Sequence, residues 1–348
     1  MSLGIGIVGC GLIADFHARA IAELRGGQLI GGFDRMAASA DAFAKRFRCR
    51  AFGSLATLLA DPQIEVVAVC TPSGAHAEPA IAAAKAGKHV IVEKPLEVTL
   101  KRCDAIIDAC QKSGVLLSTI FPSRFHRASQ LLKEAIEAGR FGKLALGSAY
   151  VKWFRNQEYY DSKAWRGTRR LDGGGALMNQ AIHSVDLLLW LMGKISDVTA
   201  TTTLLGHERI EVEDCAAAAI RFANGALGGI EATTAAYPGW LKRIEICGST
   251  GSAVLEEESL VRWQFAKSTV ADRRIVSTLA DQTKTGGGAG DPAAIGHHGH
   301  REQYRDILRA IRTGNAPLID GPAARLSVEA ILAIYQSART GRRVSISP

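Results

Sequence analysis

The first third of the chain alternates largely apolar runs with stretches of helical spacing. Leu3–Val8, Gln28–Phe33, Glu65–Cys70, His89–Val92 and Val115–Ile120 lack the strict polar–apolar alternation of a half-exposed strand, and so predict buried parallel strands. Between them, Met36–Phe47, His76–Ala86 and Leu100–Lys112 predict helices, with Gly87 and Gly114 placed as C-caps. This pattern is that of a doubly wound α/β domain ending near Phe121-Pro122.

The period then changes. Gln130–Ala138 predicts a helix stopped by Gly139, Lys143–Phe154 a long strand and Leu177–Met192 a helix. Segments 197–205, 214–222, 226–236, 241–247, 252–257 and 260–265 alternate as antiparallel strands, with Asn224-Gly225 as a hairpin signal and Gly248–Gly251 as a second turn. Helices return at about 300–313 and 323–339. Strands in runs with segregated helices predict an α+β domain built on one large, mostly antiparallel, open-faced sheet. The division expected is therefore residues 1–121 and 122–348. One face of such a sheet carries helices; the other suits a second subunit, as in a homodimer or homotetramer.

Composition narrows the class. With 348 residues, 47% of them apolar, the chain can bury two cores. No apolar run approaches the ~18 residues of a membrane span, and no secretory leader is expected. Seven cysteines are scattered singly without a CxxC, which argues against a disulfide framework and for a reducing cytoplasm. The net charge of +8 is dispersed, with no block of five like charges, so nucleic acid is not the expected partner while an anionic ligand is favoured. The stretch Thr285–Gly290 predicts a mobile loop. His297-His298-Gly299-His300 beyond it lacks companion ligands at a metal-site spacing, and no metal is expected.

The chemistry begins at Gly9-Cys10-Gly11-Leu12-Ile13-Ala14, directly after the first strand, with Asp34 25 residues beyond Gly9. Strand, glycine turn, helix, strand and acidic end form the dinucleotide-binding βαβ fingerprint. Gly9 allows the tight turn, Gly11 the close approach of a pyrophosphate, and the amides near Leu12 and Ile13 its binding at a helix N-terminus. A carboxylate at Asp34 accepts ribose hydroxyls and repels a 2′-phosphate, favouring NAD. The neighbouring Arg35 keeps NADP as the alternative. Thr71, Pro72 and His76 follow a core strand whose carboxyl end should face the cofactor, as does Glu93-Lys94-Pro95, where Lys94 is a candidate proton acceptor. Asp172–Asp186 opens on three glycines into a helix. On it Asn179 and His183 share a face, and Asp186 is placed to orient the imidazole. Arg155, Tyr159 and Trp165 offer a guanidinium and aromatic faces suited to a sugar carrying carboxylate or phosphate, and His300 opens a late helix within reach of a pocket.

Together these motifs resemble the Gfo/Idh/MocA family of oxidoreductases over essentially the whole chain. The resemblance implies a Rossmann domain, an open-faced sheet domain, and hydride transfer to or from a carbon of a sugar, polyol or derivative. By position, Lys94 matches the family's active-site lysine in a cis Lys94–Pro95 peptide, and His183 its histidine. Many members carry aspartate four residues before that histidine. Asn179 stands there instead, so the Asp–His dyad is absent and the general base is open between Lys94 and His183. Members with asparagine here include enzymes of nucleotide-linked sugars. Two rival readings are an NAD-dependent glycosidase that recycles its cofactor and a non-catalytic NAD-binding regulator.

Overall fold

The computed structural model describes residues 2–279 and 296–346, so the glycine stretch Thr285–Gly290 lies outside the described residues. The chain divides into two compact units. One comprises Met1–Pro122, Arg170–Gly173 and Gly296–Val328; the other comprises Ser123–Arg169, Gly174–Ile295 and Glu329–Pro348. Division at residue 121 had counted the 296–328 segment with the second domain.

The first unit is built on β1 (Leu3–Val8), β2 (Gly27–Phe33), β3 (Arg50–Ala51), β4 (Val66–Val69), β5 (His89–Val92) and β6 (Leu117–Thr119). All pair in parallel, in the order β3-β2-β1-β4-β5-β6. Helices α1 (Leu12–Ala22), α2 (Ala37–Phe47), α3 (Leu55–Ala60), α4 (Ala77–Lys85) and α5 (Leu100–Lys112) connect them. The strands are apolar throughout because both faces are covered: Ile5, Ile7, Val66, Val67, Ala68, Val69, Val90, Ile91 and Val92 are buried. Strand order reverses between β1 and β4, which places the ligand crevice at the carboxyl ends of these strands. Helix α10 (His298–Thr313, in chain order) packs its Tyr304, Ile307 and Leu308 into the same core as Ile5, Ile7 and Ile21. Its Gln303 side chain accepts from Phe121 N at 3.0 Å and donates to Thr119 O at 2.7 Å.

The second unit begins with α6 (Arg127–Glu137), β7 (Leu144–Lys152), α7 (Gln157–Asp161) and α8 (Ile182–Met192). It continues with β8 (Ile195–Thr203), β9 (Cys215–Phe222), β10 (Leu227–Thr233), β11 (Arg243–Gly248), β12 (Gly251–Glu256), β13 (Ser259–Phe265) and α9 (Val270–Leu279). Helix α11 (Gly321–Thr340) straddles the division, and β14 (Val344–Ser345) closes the chain. The sheet order is β13-β12-β11-β7-β10-β9-β8-β14, antiparallel except where β7 meets β10. Strand β9 alternates buried and open positions, as a sheet with one covered face requires. Helix α8 lies so close to the covered face that a Cβ on Gly147 would meet Met192 Cγ at 2.6 Å. Periodicity does not mark β3, α3, α7 or β14, which are too short to show a period.

Candidate active site

In the first unit, Gly9 has φ +93°, and a Cβ there would stand 2.7 Å from the Cys70 carbonyl carbon and oxygen. Only glycine permits this turn. Gly11 caps α1 in extended conformation, and no side chain caps the helix. Nothing lies within 4 Å of where a Gly11 Cβ would be, and Leu12 is 57% exposed. The first-turn amides at Leu12 and Ile13 therefore open onto space able to take a diphosphate, while Ala14 is buried in tight packing. At the end of β2 the Asp34 carboxylate accepts from Cys10 N and from Met36 N, each at 2.9 Å, with Arg35 exposed beside it. A diphosphate cradle and a pinned carboxylate fit a dinucleotide.

At the end of β4, Thr71 and Pro72 are half-buried, and Thr71 Oγ1 donates to Ala75 O at 3.0 Å. His76, expected at the cofactor, is instead 1% exposed beneath two loops. Its Nδ1 lies 2.9 Å from Pro95 O and its Nε2 2.9 Å from Thr71 O. After β5 comes the expected cis Lys94–Pro95 peptide, with Lys94 half-buried. Lys94 N donates to Glu93 Oε2 at 3.0 Å. The other Glu93 oxygen lies 2.8 Å from His17 Nε2 and 3.7 Å from His300 Nε2, and His17 Nδ1 is 2.7 Å from the Tyr304 hydroxyl.

Burial pushes the Glu93 carboxyl up, but the hydrogen bonds and charges of His17 and His300 outweigh it and hold it well below the usual carboxylate range. Burial pulls His300 down. Donor atoms of His17, Glu93 and His300 lie within 4.8 Å of one another, and the 2.8 Å His17–Glu93 separation is that of a charge-assisted hydrogen bond. The structure thus places His300 and the Glu93 side chain in a buried network of this unit. His297 goes to Glu23, and His298 accepts from Arg301.

In the second unit, the expected helix start at Leu177 is a π-turn, Ala176–Ala181, leading into α8. Glu213 makes it so. Its carboxylate accepts from Gly175 N at 3.0 Å, Leu177 N at 2.9 Å and the Tyr335 hydroxyl at 2.8 Å, while its carbonyl accepts from Ala176 N at 3.1 Å. A Cβ on Gly175 would fall 1.8 Å from Glu213 O, and one on Gly174 2.1 Å from Tyr335 Oη. From Ala176 to Leu189 every residue is buried except Asn179 and His183, so the shared face expected for this pair holds.

Asp186 does not orient His183. Its carboxylate is taken by Arg124, Nε to Oδ2 at 2.8 Å and Nη2 to Oδ1 at 2.6 Å, inside the unit. Arg155, Tyr159 and Asn179 converge on a residue that spacing did not mark. Gln180 accepts from Arg155 Nη2 at 3.1 Å and donates to Tyr159 Oη at 3.0 Å and to Asn179 Oδ1 at 3.2 Å. Arg166 lies 4.0 Å from the Tyr159 ring centroid and 5.7 Å from that of Trp165. His17 and Glu213 were also missed. His17 carries a signal, a histidine within the buried stripe Ala14, Ala18 and Ile21 of α1; Glu213 carries none.

The NAD-binding Rossmann-fold model of the oxidoreductase family matches residues 3–121, and the GFO/IDH/MocA C-terminal domain model matches residues 129–254. The WlbA dehydrogenase of Bordetella pertussis, solved with NADH and UDP-GlcNAcA, is similar at a TM-score of 0.91 and 34% identity, covering 100% of this chain and 98% of that one. Myo-inositol 2-dehydrogenase of Thermotoga maritima is 27% identical over 98% of both chains. Levoglucosan dehydrogenase of Pseudarthrobacter phenanthrenivorans is 35% identical over 64% of this chain and 63% of that protein. Both units are matched, and the chain belongs to the Gfo/Idh/MocA family of NAD-binding oxidoreductases.

Proposed function

We propose that the protein is an NAD-dependent dehydrogenase interconverting a secondary alcohol and a ketone on a sugar derivative, with a nucleotide-linked sugar acid as its substrate class. The observation that carries this class is the likeness, over essentially both full chains, to a dehydrogenase seen with NADH and UDP-GlcNAcA, together with an asparagine at position 179. The curated relatives named for levoglucosan and myo-inositol support the wider class of sugars and polyols.

The chemistry the dinucleotide supplies is acceptance of a hydride from a carbinol carbon, or its return. The amides at Gly11, Leu12 and Ile13 hold its diphosphate, and Asp34 its adenosine ribose. An imidazole nitrogen of His183 takes the hydroxyl proton, while the Lys94 ammonium polarises the reacting oxygen. Asn179, Arg155 and Tyr159, joined through Gln180, orient the sugar, with Trp165 beside Arg166 at its edge.

A homo-oligomer through the open sheet face is part of this reading. On that face Leu146 and Leu227 are paired neighbours, 46% and 48% exposed. A reducing compartment, the cytoplasm, fits seven free thiols. Among the described residues no helix is long and apolar enough to cross a membrane.

The test is twofold. Dinucleotide released on denaturation is identified, and growth of reduced-nicotinamide absorbance is then followed with NAD and UDP-linked sugar acids, free sugars, levoglucosan or inositols. Turnover with the nucleotide-linked acids is expected. Turnover only with free sugars overturns the substrate class, and retained cofactor with glycoside cleavage overturns the dehydrogenase.

A further inference from the structure

The Glu93-Lys94-Pro95 turn is gripped from both sides by buried histidines: His17 is 0% and His76 1% exposed. On one side, the Glu93 carboxylate is only an acceptor when ionised, so the His17 Nε2 facing it at 2.8 Å carries the hydrogen. The other ring nitrogen, Nδ1, lies 2.7 Å from the Tyr304 hydroxyl. A continuous chain results: the Tyr304 hydroxyl against His17 Nδ1, His17 N–H to Glu93 Oε1, and Lys94 N–H to Glu93 Oε2. On the other side, the His76 ring lies between Pro95 O and Thr71 O, 2.9 Å from each; a neutral ring donates to one of them and packs between the loop after β5 and the loop after β4.

We propose that His17 and His76 are positioning residues for Lys94. They fix the main chain on both sides of it and so the place from which its amine projects. Tyr304 extends the grip to α10, a helix from the far end of the sequence. This inference rests on the reading of Lys94 as an active-site residue. Other ionisable groups around these rings are His300 beside Glu93, Cys70 near Glu93 and Tyr304, and Glu97 near His76. A turn released from either side lets the amine wander, and a misplacement of about 1 Å can cost roughly 100-fold in rate.

The experiment compares His17→Leu, His17→Gln and Tyr304→Phe with Lys94→Ala by kcat, KM for NAD and the pH profile of kcat. Glutamine reaches about as far as the imidazole Nε2 and keeps the hydrogen donated to Glu93. His17→Leu is expected to lose roughly 100-fold in kcat with KM for NAD within about threefold, and to shift the pH profile. His17→Gln should recover most of that loss. Tyr304→Phe removes one hydroxyl, tests the grip should His17→Leu not fold, and is expected to lower kcat about fivefold with the same pH shift. Wild-type kcat and pH profile in both His17→Leu and Tyr304→Phe overturn the inference, as does an equal loss in leucine and glutamine variants of wild-type stability. Lys94→Ala reports separately: undiminished turnover there overturns the reading of Lys94, whatever the histidine variants do.

Discussion

Arg124 holds Asp186 in a two-pronged grip, with both side chains almost wholly buried. Asp186 therefore anchors α8 and is not the partner of His183. Burial raises its carboxyl above the ordinary range even with the guanidinium beside it. Removing one member leaves a charge stranded in the interior. Arg124→Leu is expected to cost about 3–5 kcal/mol, and the double replacement Arg124→Leu with Asp186→Leu to recover much of it. Denaturant midpoints of the two singles and the double decide this; singles within about 1 kcal/mol of wild type would show that the pair is dispensable.

Glu213 is a different kind of anchor. It holds the π-turn by accepting main-chain hydrogens, and burial raises its pKa against the opposing pull of those hydrogen bonds. A carboxyl raised in the folded state contributes stability that is complete below its unfolded value and is lost as pH rises through the folded one. Glu213→Gln turns one acceptor oxygen into an amide facing the Gly175 N–H, at a cost of about 1–3 kcal/mol. The urea midpoint of the wild type minus that of the variant, measured from acid to neutral pH, should therefore fall as pH rises across this window. Parallel curves would show that Glu213 does not titrate there.

Asp34 has two tasks. On the proposed function it binds the adenosine ribose, and it also accepts from Cys10 N and Met36 N, so that the glycine turn and the end of β2 hang on one carboxylate. Asp34→Ala should raise the ratio of NADP to NAD in kcat/KM by about tenfold, since a repulsive charge goes while Arg35 stays. Absolute efficiency with NAD should fall because the loop slackens. An unchanged ratio in steady-state kinetics would sink the assignment of Asp34 as the discriminating residue.

Much of the fold was legible because its signals are local and periodic. Buried parallel strands read as apolar runs, Leu100–Lys112 was bounded by its spacing, and Asn224-Gly225 marked a hairpin. The faces of Asn179 and His183 were legible for the same reason. What sequence order hides is partnership across long separations. Asp186 lies three residues from His183 but pairs with Arg124, 62 positions away. His76 sits in a loop motif yet turns inward to two carbonyls, and Glu213 shapes the π-turn from 36 residues downstream of Leu177. No local pattern announces such bonds, since either partner is an ordinary polar residue in its own stretch.

The return of α10 to the first sheet bears on how such genes can be recombined. A graft that exchanges everything after residue 121 for a relative's sequence also exchanges Gln303, which ties off Phe121 and Thr119, and Tyr304, which stands against His17. Chimeras with new specificity are thus better cut so that the parental 296–328 segment travels with the N-terminal half. The nucleotide-binding half and its distant tail are inherited as one piece.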